Sequence, residues 1–181
     1  MTLLRTVLLA LGLAILTGLA SAQPAPAPAI PYWLHPTNLW PTPPPPVPQP
    51  AYCADAKDGV WANGTPVQLW RCSPGNRNQL WDQDVLGQLR LWAKPSLCLD
   101  AGLNPRDGSR VKLWTCYPGL LQQTWEHYSS IHGTGRRLNG TDLCLDVTDG
   151  RFANGTPLQV WKCAQGNWNQ MITTRPVPVP Y

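Results

Sequence analysis

Cys53-Ala-Asp55, then Gln68-Leu-Trp70-Arg-Cys72, then Gln79-Leu-Trp81 is the stretch that decides the fold, because the chain writes it three times. It returns as Cys98-Leu-Asp100, Lys112-Leu-Trp114-Thr-Cys116 and Gln123-Thr-Trp125. It returns again as Cys144-Leu-Asp146, Gln159-Val-Trp161-Lys-Cys163 and Gln170-Met171. The first cysteines of the three sets lie 45 and 46 positions apart, which is the signature of an internal repeat. The first and third units also share Asn-Gly-Thr-Pro (Asn63 to Pro66, Asn154 to Pro157) and Asp-Gly (Asp58-Gly59, Asp149-Gly150).

Within the units the cysteines are 19, 18 and 19 positions apart, and that near-constancy favours local bridges: Cys53 with Cys72, Cys98 with Cys116, Cys144 with Cys163. A zinc site wants closely spaced Cys or Cys and His pairs. None occurs among the six Cys and His35, His127 and His132, so no metal and no cofactor are expected. On the chain-entropy model each bridge contributes roughly 3 kcal/mol.

Short alternating runs separated by Gly, Asn, Asp and Pro clusters read as strands and turns, and no stretch beyond the leader shows a helical period. Alternation predicts Val67 and Leu69 facing inward, with Gln68 and Trp70 outward. Three units that cannot bury their own faces either close around a pseudo-threefold axis or stack as a solenoid. Three copies over about 125 residues favour closure.

The flanks differ in kind. Arg5, the apolar run Thr6 to Leu19 and the small-residue site Ala20-Ser21-Ala22 make residues 1–22 a signal peptide, and hence the protein secreted and extracellular. As a membrane anchor the run is short of the roughly 20 residues a spanning helix needs. Residues 23–50 carry twelve prolines in 28 positions and read as a semi-rigid linker, as 175–181 reads as a proline-rich tail. Tyr32-Trp33 and Leu39-Trp40 are too apolar for a pure spacer, and fold back on the repeats or dock a partner. Only 13% of the 181 residues are charged, with a formal net charge of +4, too weak and scattered to argue for nucleic acid. Ten Trp beside one Phe suit surfaces that must be apolar and wet together, as sugars require.

Cys-x-Asp, Asp-Gly, Asn-Gly, Gln-x-Trp-x-Cys and a closing Asn-Gln-x-Trp together resemble the ricin-type (R-type) lectin domain. The resemblance covers about residues 51–174, with repeats at about 51–87, 88–131 and 132–174. It implies an all-β fold, a single β-trefoil, that binds glycans on cell surfaces, glycoproteins or polysaccharides in shallow pockets. Family repeats begin with a strand ahead of the first Cys. Leu89 to Trp92 and Arg137 to Asn139 can supply it in units two and three, but proline-rich sequence stands before Cys53 and removes ladder donors.

A galactose-like ring has an apolar C–H patch and a fan of hydroxyls, so its pocket needs a flat wall beside directional polar groups. Trp70 and Trp161 can be walls, and Asp55 and Asp146, ionised, can accept from two adjacent hydroxyls. Gln68, Asn78 and Gln79, or Gln159, Asn169 and Gln170, both donate and accept. All ten positions match the family's binding residues. Gln79 and Gln170 have a competing role in holding backbone, while Trp81 and Trp125 are expected in the core. The second unit keeps Asp100, Trp114 and Gln123 but carries Lys112 and Gln122 where the others have Gln and Asn. Lys donates without accepting and can pair with Asp100, so this site is expected to be weak or silent unless retuned to an acidic sugar.

No catalysis is expected. The repeating carboxylates stand one per unit, whereas glycosidase pairs lie within roughly 10 Å, and the sole glutamate, Glu126, has no evident partner. A scaffold binding a protein target, as inhibitor or secreted effector, and a stand-alone polysaccharide-binding module are the other readings. Asn63, Asn139 and Asn154 fit the N-glycosylation sequon, but turn chemistry explains the first and third equally well, leaving Asn139 as the leading acceptor.

Overall fold

The computed structural model describes residues 32–36, 52–131 and 133–177. The expected signal peptide, most of the linker with Leu39-Trp40, His132 and the end of the tail lie outside the described residues. Unit one consists of β1 (Tyr32–Pro36), β2 (Tyr52–Ala56), β3 (Val67–Arg71) and β4 (Leu80–Gln83). Unit two holds β5 (Leu89–Leu91), β6 (Leu97–Asp100), β7 (Ser109–Arg110), β8 (Lys112–Thr115) and β9 (Trp125–Ser130). Unit three holds β10 (Gly133–Leu138), β11 (Leu143–Val147), β12 (Leu158–Lys162) and β13 (Ile172–Pro176). The only helices among the described residues are single 3-10 turns of three residues.

Each unit is built on one antiparallel hairpin, β2 with β3, β6 with β8 and β11 with β12. The inward residues Val67, Leu69, Leu99, Leu113, Leu145, Leu158 and Val160 form one continuous core, joined by the fully buried Trp81 and by Trp125. Trp70 projects outward, as alternation requires, and is 42% exposed. Gln68 also faces outward but is buried at 5% exposure, because the cross-strand Asp55 stands over it. The three disulfides form within units, with Cα separations of 5.1, 5.1 and 5.0 Å.

The units are bracketed in a closed cycle. The Asn63 side-chain oxygen accepts the Thr115 backbone N–H at 2.7 Å, Asp107 accepts that of Lys162 at 2.6 Å, and Asn154 accepts that of Arg71 at 2.7 Å. Backbone bonds repeat the cycle from the following glycines: Gly64 N–H to Leu113 O, Gly108 N–H to Val160 O and Gly155 N–H to Leu69 O. Thus the Asn-Gly pairs of units one and three clamp neighbouring repeats, and Asp107-Gly108 does the same in unit two. Asp in place of Asn keeps the acceptor, which is why the bracket survives the change.

The ring is completed from within the proline-rich stretch. β1 lies between β13 and β4, pairing Leu34 with Thr174 and Trp33 with Leu80, so the first and last described strands meet in one sheet. Leu34 enters the core, whereas Trp33 covers Cys53 and Leu80 with help from Trp92 and Val177. Four consecutive prolines, Pro43 to Pro46, cannot donate to a ladder, so the strand is drawn from the apolar residues upstream of them.

Candidate functional site

Antiparallel register does most of the assembly. It sets Asp55 opposite Gln68 and Cys53 opposite Trp70, and likewise Asp146 opposite Gln159 and Cys144 opposite Trp161. Residues two apart share a face, so carboxylate, amide and indole all rise on the same side of their hairpin. The disulfide then fastens that side where the hairpin ends.

A 3-10 turn brings in the remaining polar groups. Asn76 accepts the Asn78 backbone N–H at 3.1 Å, and Asn167 accepts that of Asn169 at 3.0 Å, so each turn is capped by its own preceding asparagine. Opposite lie the Asp58-Gly59 and Asp149-Gly150 turns, all four residues at positive φ. A Cβ on Gly150 would stand 2.8 Å from the Asn169 side-chain oxygen, so only glycine lets this amide close the cleft.

The result is two matched clefts. One of about 190 Å³ is lined by Asp55, Asp58, Gln68, Trp70, Asn76 and Asn78. The other, of about 200 Å³, is lined by Asp146, Asp149, Gln159, Trp161, Asn167 and Asn169. Asp58, Asn76 and their third-unit counterparts were not among the residues expected to bind. Their signal was in the sequence, since the Asp-Gly pair repeats and both asparagines stand four residues after their closing cysteine.

Gln79 and Gln170 are fully buried beneath the clefts. Gln79 donates to Asp55 at 3.1 Å and to Arg71 O at 3.0 Å, and it accepts from the Ser73 N–H at 2.9 Å. Gln170 donates to Lys162 O and accepts from the Ala164 N–H, both at 2.9 Å. Of their two expected roles, the geometry provides the holding one: they fix the floor. Asp55 also receives Gln68 at 3.4 Å, and Asp146 receives Gln159 at 2.9 Å.

Burial dominates the electrostatics of the two aspartates. It raises the pKa of Asp55, an effect the Gln79 and Gln68 hydrogen bonds oppose and nearby Asp58 reinforces. Asp146 is raised in the same way, burial being opposed by Gln159 and Gln170 and reinforced by Asp107 and Asp149. Each carboxylate is therefore held beneath an apolar wall with about half of its four acceptor positions unfilled. The clefts are not identical at their rims. The Trp61 indole N–H donates to the Asn78 side-chain oxygen at 2.9 Å and carries the Arg77 guanidinium 5.1 Å above its ring. Phe152 and Trp168 occupy the equivalent positions in unit three, and a phenyl ring cannot orient Asn169 in this way.

Unit two departs from the pattern. Lys112 donates to Asp100 at 3.1 Å and lies 5.6 Å from the centroid of the Trp114 ring. Asp100 also accepts the Gly102 N–H at 2.7 Å and Gln123 at 2.9 Å. Gln123 is buried like its counterparts, while Gln122 lines the cavity. Among the described residues no group of three His, Cys, Asp or Glu is placed to hold a metal ion.

Three strand-hairpin units closed into a ring, each presenting one face of its hairpin outward, define a β-trefoil. The family model for the ricin-type beta-trefoil lectin domain matches residues 47–172, and the chain belongs to that family. Similar solved structures include the C-half of an earthworm R-type lectin in complex with GalNAc, 18% identical, covering 82% of this chain and 99% of that one, with a TM-score of 0.61. The Rhizoctonia solani agglutinin is 18% identical, with 85% and 99% covered and a TM-score of 0.63. ThreeFoil, a designed threefold symmetric protein, is 22% identical, with 68% and 89% covered and a TM-score of 0.61. No curated protein matches the chain by sequence.

Proposed function

We propose that this chain is a secreted lectin that binds galactose-like glycans through the clefts of units one and three and carries out no reaction on them. The observation that carries this reading is the duplicated pairing of an exposed indole wall with a buried, half-filled carboxylate. Trp70 and Trp161 are 42% and 44% exposed, while Asp55 and Asp146 are 5% and 3% exposed. A sugar offers a C–H face to the indole and adjacent hydroxyls to the carboxylate, and charge-assisted hydrogen bonds are the strong ones. The earthworm lectin holding GalNAc on the same fold supports this ligand class.

Three disulfides suit an oxidising compartment, and no helix among the described residues is long and apolar enough to cross a membrane. The disulfides support secretion behind residues 1–22. Glu126 pairs with Arg137 at 2.8 Å on the neighbouring strand, away from either cleft, which supports a binding rather than a catalytic role. Asn63 and Asn154 use their side-chain oxygens to bracket repeats, which supports Asn139 as the sequon that would carry a glycan.

Asp146→Asn tests the reading, since it preserves shape and removes the charge. Affinity of unit three for methyl β-galactoside in calorimetry is expected to fall about tenfold or more, with little change in melting temperature. A large fall in melting temperature at unchanged affinity would make Asp146 structural.

The raised aspartate pKa values set a second expectation. Sugar needs the ionised carboxylates, so affinity should fall on acidification at a pH above that of an ordinary aspartate, whose reference is 3.8. Stability responds in the opposite sense. The folded protein takes up these protons before the unfolded chain does, so the aspartates' contribution to stability rises as pH falls through the same window and declines as pH rises. Parallel calorimetric and melting series check both signs. Affinity that holds constant down to the reference value would mean the buried carboxylates are not the acceptors.

A further inference from the structure

A cavity of about 550 Å³, larger than either of the matched clefts, occupies the corresponding site of unit two. That volume falls within the range of about 300 to 1,000 Å³ typical of small-molecule sites, whereas the two clefts fall below it. The repeat alignment shows how it came to differ. Counted from the cysteines, Leu103 stands where the other units have Asp58 and Asp149, Leu120 where they have Asn76 and Asn167, and Tyr117 where they have Ser73 and Ala164. Two polar rim positions have become leucine and a small one has become tyrosine, all lining the same cavity. Leu103 is 85% exposed, so it is not there to fill the core.

The polar floor is inverted as well. Asp100 already accepts from the Gly102 N–H, Lys112 and Gln123, which leaves it little capacity for a pair of sugar hydroxyls. The Lys112 ammonium also lies over the Trp114 ring, the face on which a sugar would stack. One of its three N–H groups bonds Asp100, and the others can only donate. This cavity therefore asks of its ligand the opposite of what the clefts ask: an apolar body for Leu103, Tyr117 and Leu120, and an acceptor for Lys112.

We propose that unit two is a separate site for a small apolar ring bearing a carboxylate, an aryl or alicyclic acid, whose ring packs among Leu103, Tyr117 and Leu120 and whose carboxylate meets Lys112. It does not depend on the sugar reading of the other two units.

The full oxidised chain, titrated with 3-phenylpropionate and separately with 3-phenylpropanol, tests this by NMR of the Gly102 amide and the indole N–H groups of Trp114, Trp70 and Trp161. The acid is expected to shift Gly102 and Trp114 saturably while leaving Trp70 and Trp161 in place, and to bind about fivefold tighter than the alcohol. Leu103→Asp with Leu120→Asn restores the residue types of the other units at two surface positions, and should weaken the acid about tenfold. Lys112→Gln should abolish the preference for acid over alcohol while leaving the weaker ring binding. No saturable shift in unit two, equal shifts at all three indoles, or an acid preference that survives Lys112→Gln would each overturn the proposal. So would methyl β-galactoside moving Trp114 as it moves the other two. The sugar reading is judged on a separate arm, the response of Trp70 and Trp161 to methyl β-galactoside.

Discussion

Replacing either Trp70 or Trp161 by alanine should reduce the sugar sites counted in calorimetry from about two to one, and avidity for a glycan-coated surface should then collapse by about 10² to 10⁴. Clefts of about 190 and 200 Å³ enclose only part of a sugar ring, so each alone should bind weakly. They stand on different units of the ring and, on the proposed reading, should engage two glycans rather than one, so strength should come from linkage, which raises apparent affinity without adding contacts. Both indoles are more than two-fifths exposed, and their loss should leave the core intact. If one substitution abolishes every site while the other changes nothing, only one cleft works and the bivalent account fails.

Much of this fold could be read from residue spacing because its physics is local. A constant separation of about 19 between cysteines placed each bridge within a hairpin, and that bridge fixed which strands carry the aspartate and the indole. Strand alternation then separated Val67 and Leu69 from Trp70. What alternation could not show is that an outward side chain can still be buried. Gln68 is covered by the residue facing it across the ladder, and Gln79 by the whole floor of the cleft. Such burial depends on cross-strand partners, and a single strand's pattern does not contain them.

The remaining differences are non-local too. β1 comes from a stretch whose composition reads as spacer, because the four residues between Pro31 and Pro36 suffice to start a strand when β13 and β4 supply ladders on both sides. Asp107 took the place of asparagine in the inter-unit bracket, a role visible only once Lys162 is seen opposite. Unit two looked like a decayed copy because it lost Gln and Asn. Its larger cavity is lined by Leu103, Tyr117 and Leu120 together, positions that no binding role was expected of in the other units.

Trp81→Ala should produce the largest loss of stability of any single substitution in unit one, about 3 to 5 kcal/mol, lowering the melting temperature by about 10 °C. Its ring is fully buried, and its indole N–H donates to Ala54 O at 3.0 Å; Trp125 makes the same bond to Leu99 O. Unit three has Ile172 at this position and no such donor. Ala54 lies between Cys53 and Asp55, so the indole pins the strand segment that carries the carboxylate proposed to bind sugar. Trp81→Phe keeps most of the volume and removes the pin, leaving a buried carbonyl short of a partner at a cost of about 1 to 3 kcal/mol. A purely structural Trp81 would lose stability alone. A Trp81 that also positions Asp55 should in addition weaken methyl β-galactoside in unit one while unit three, read through Trp161, stays unchanged. Should the phenylalanine variant bind normally in both units, the disulfide and Gln79 suffice to hold Asp55 and the pin has no part in recognition.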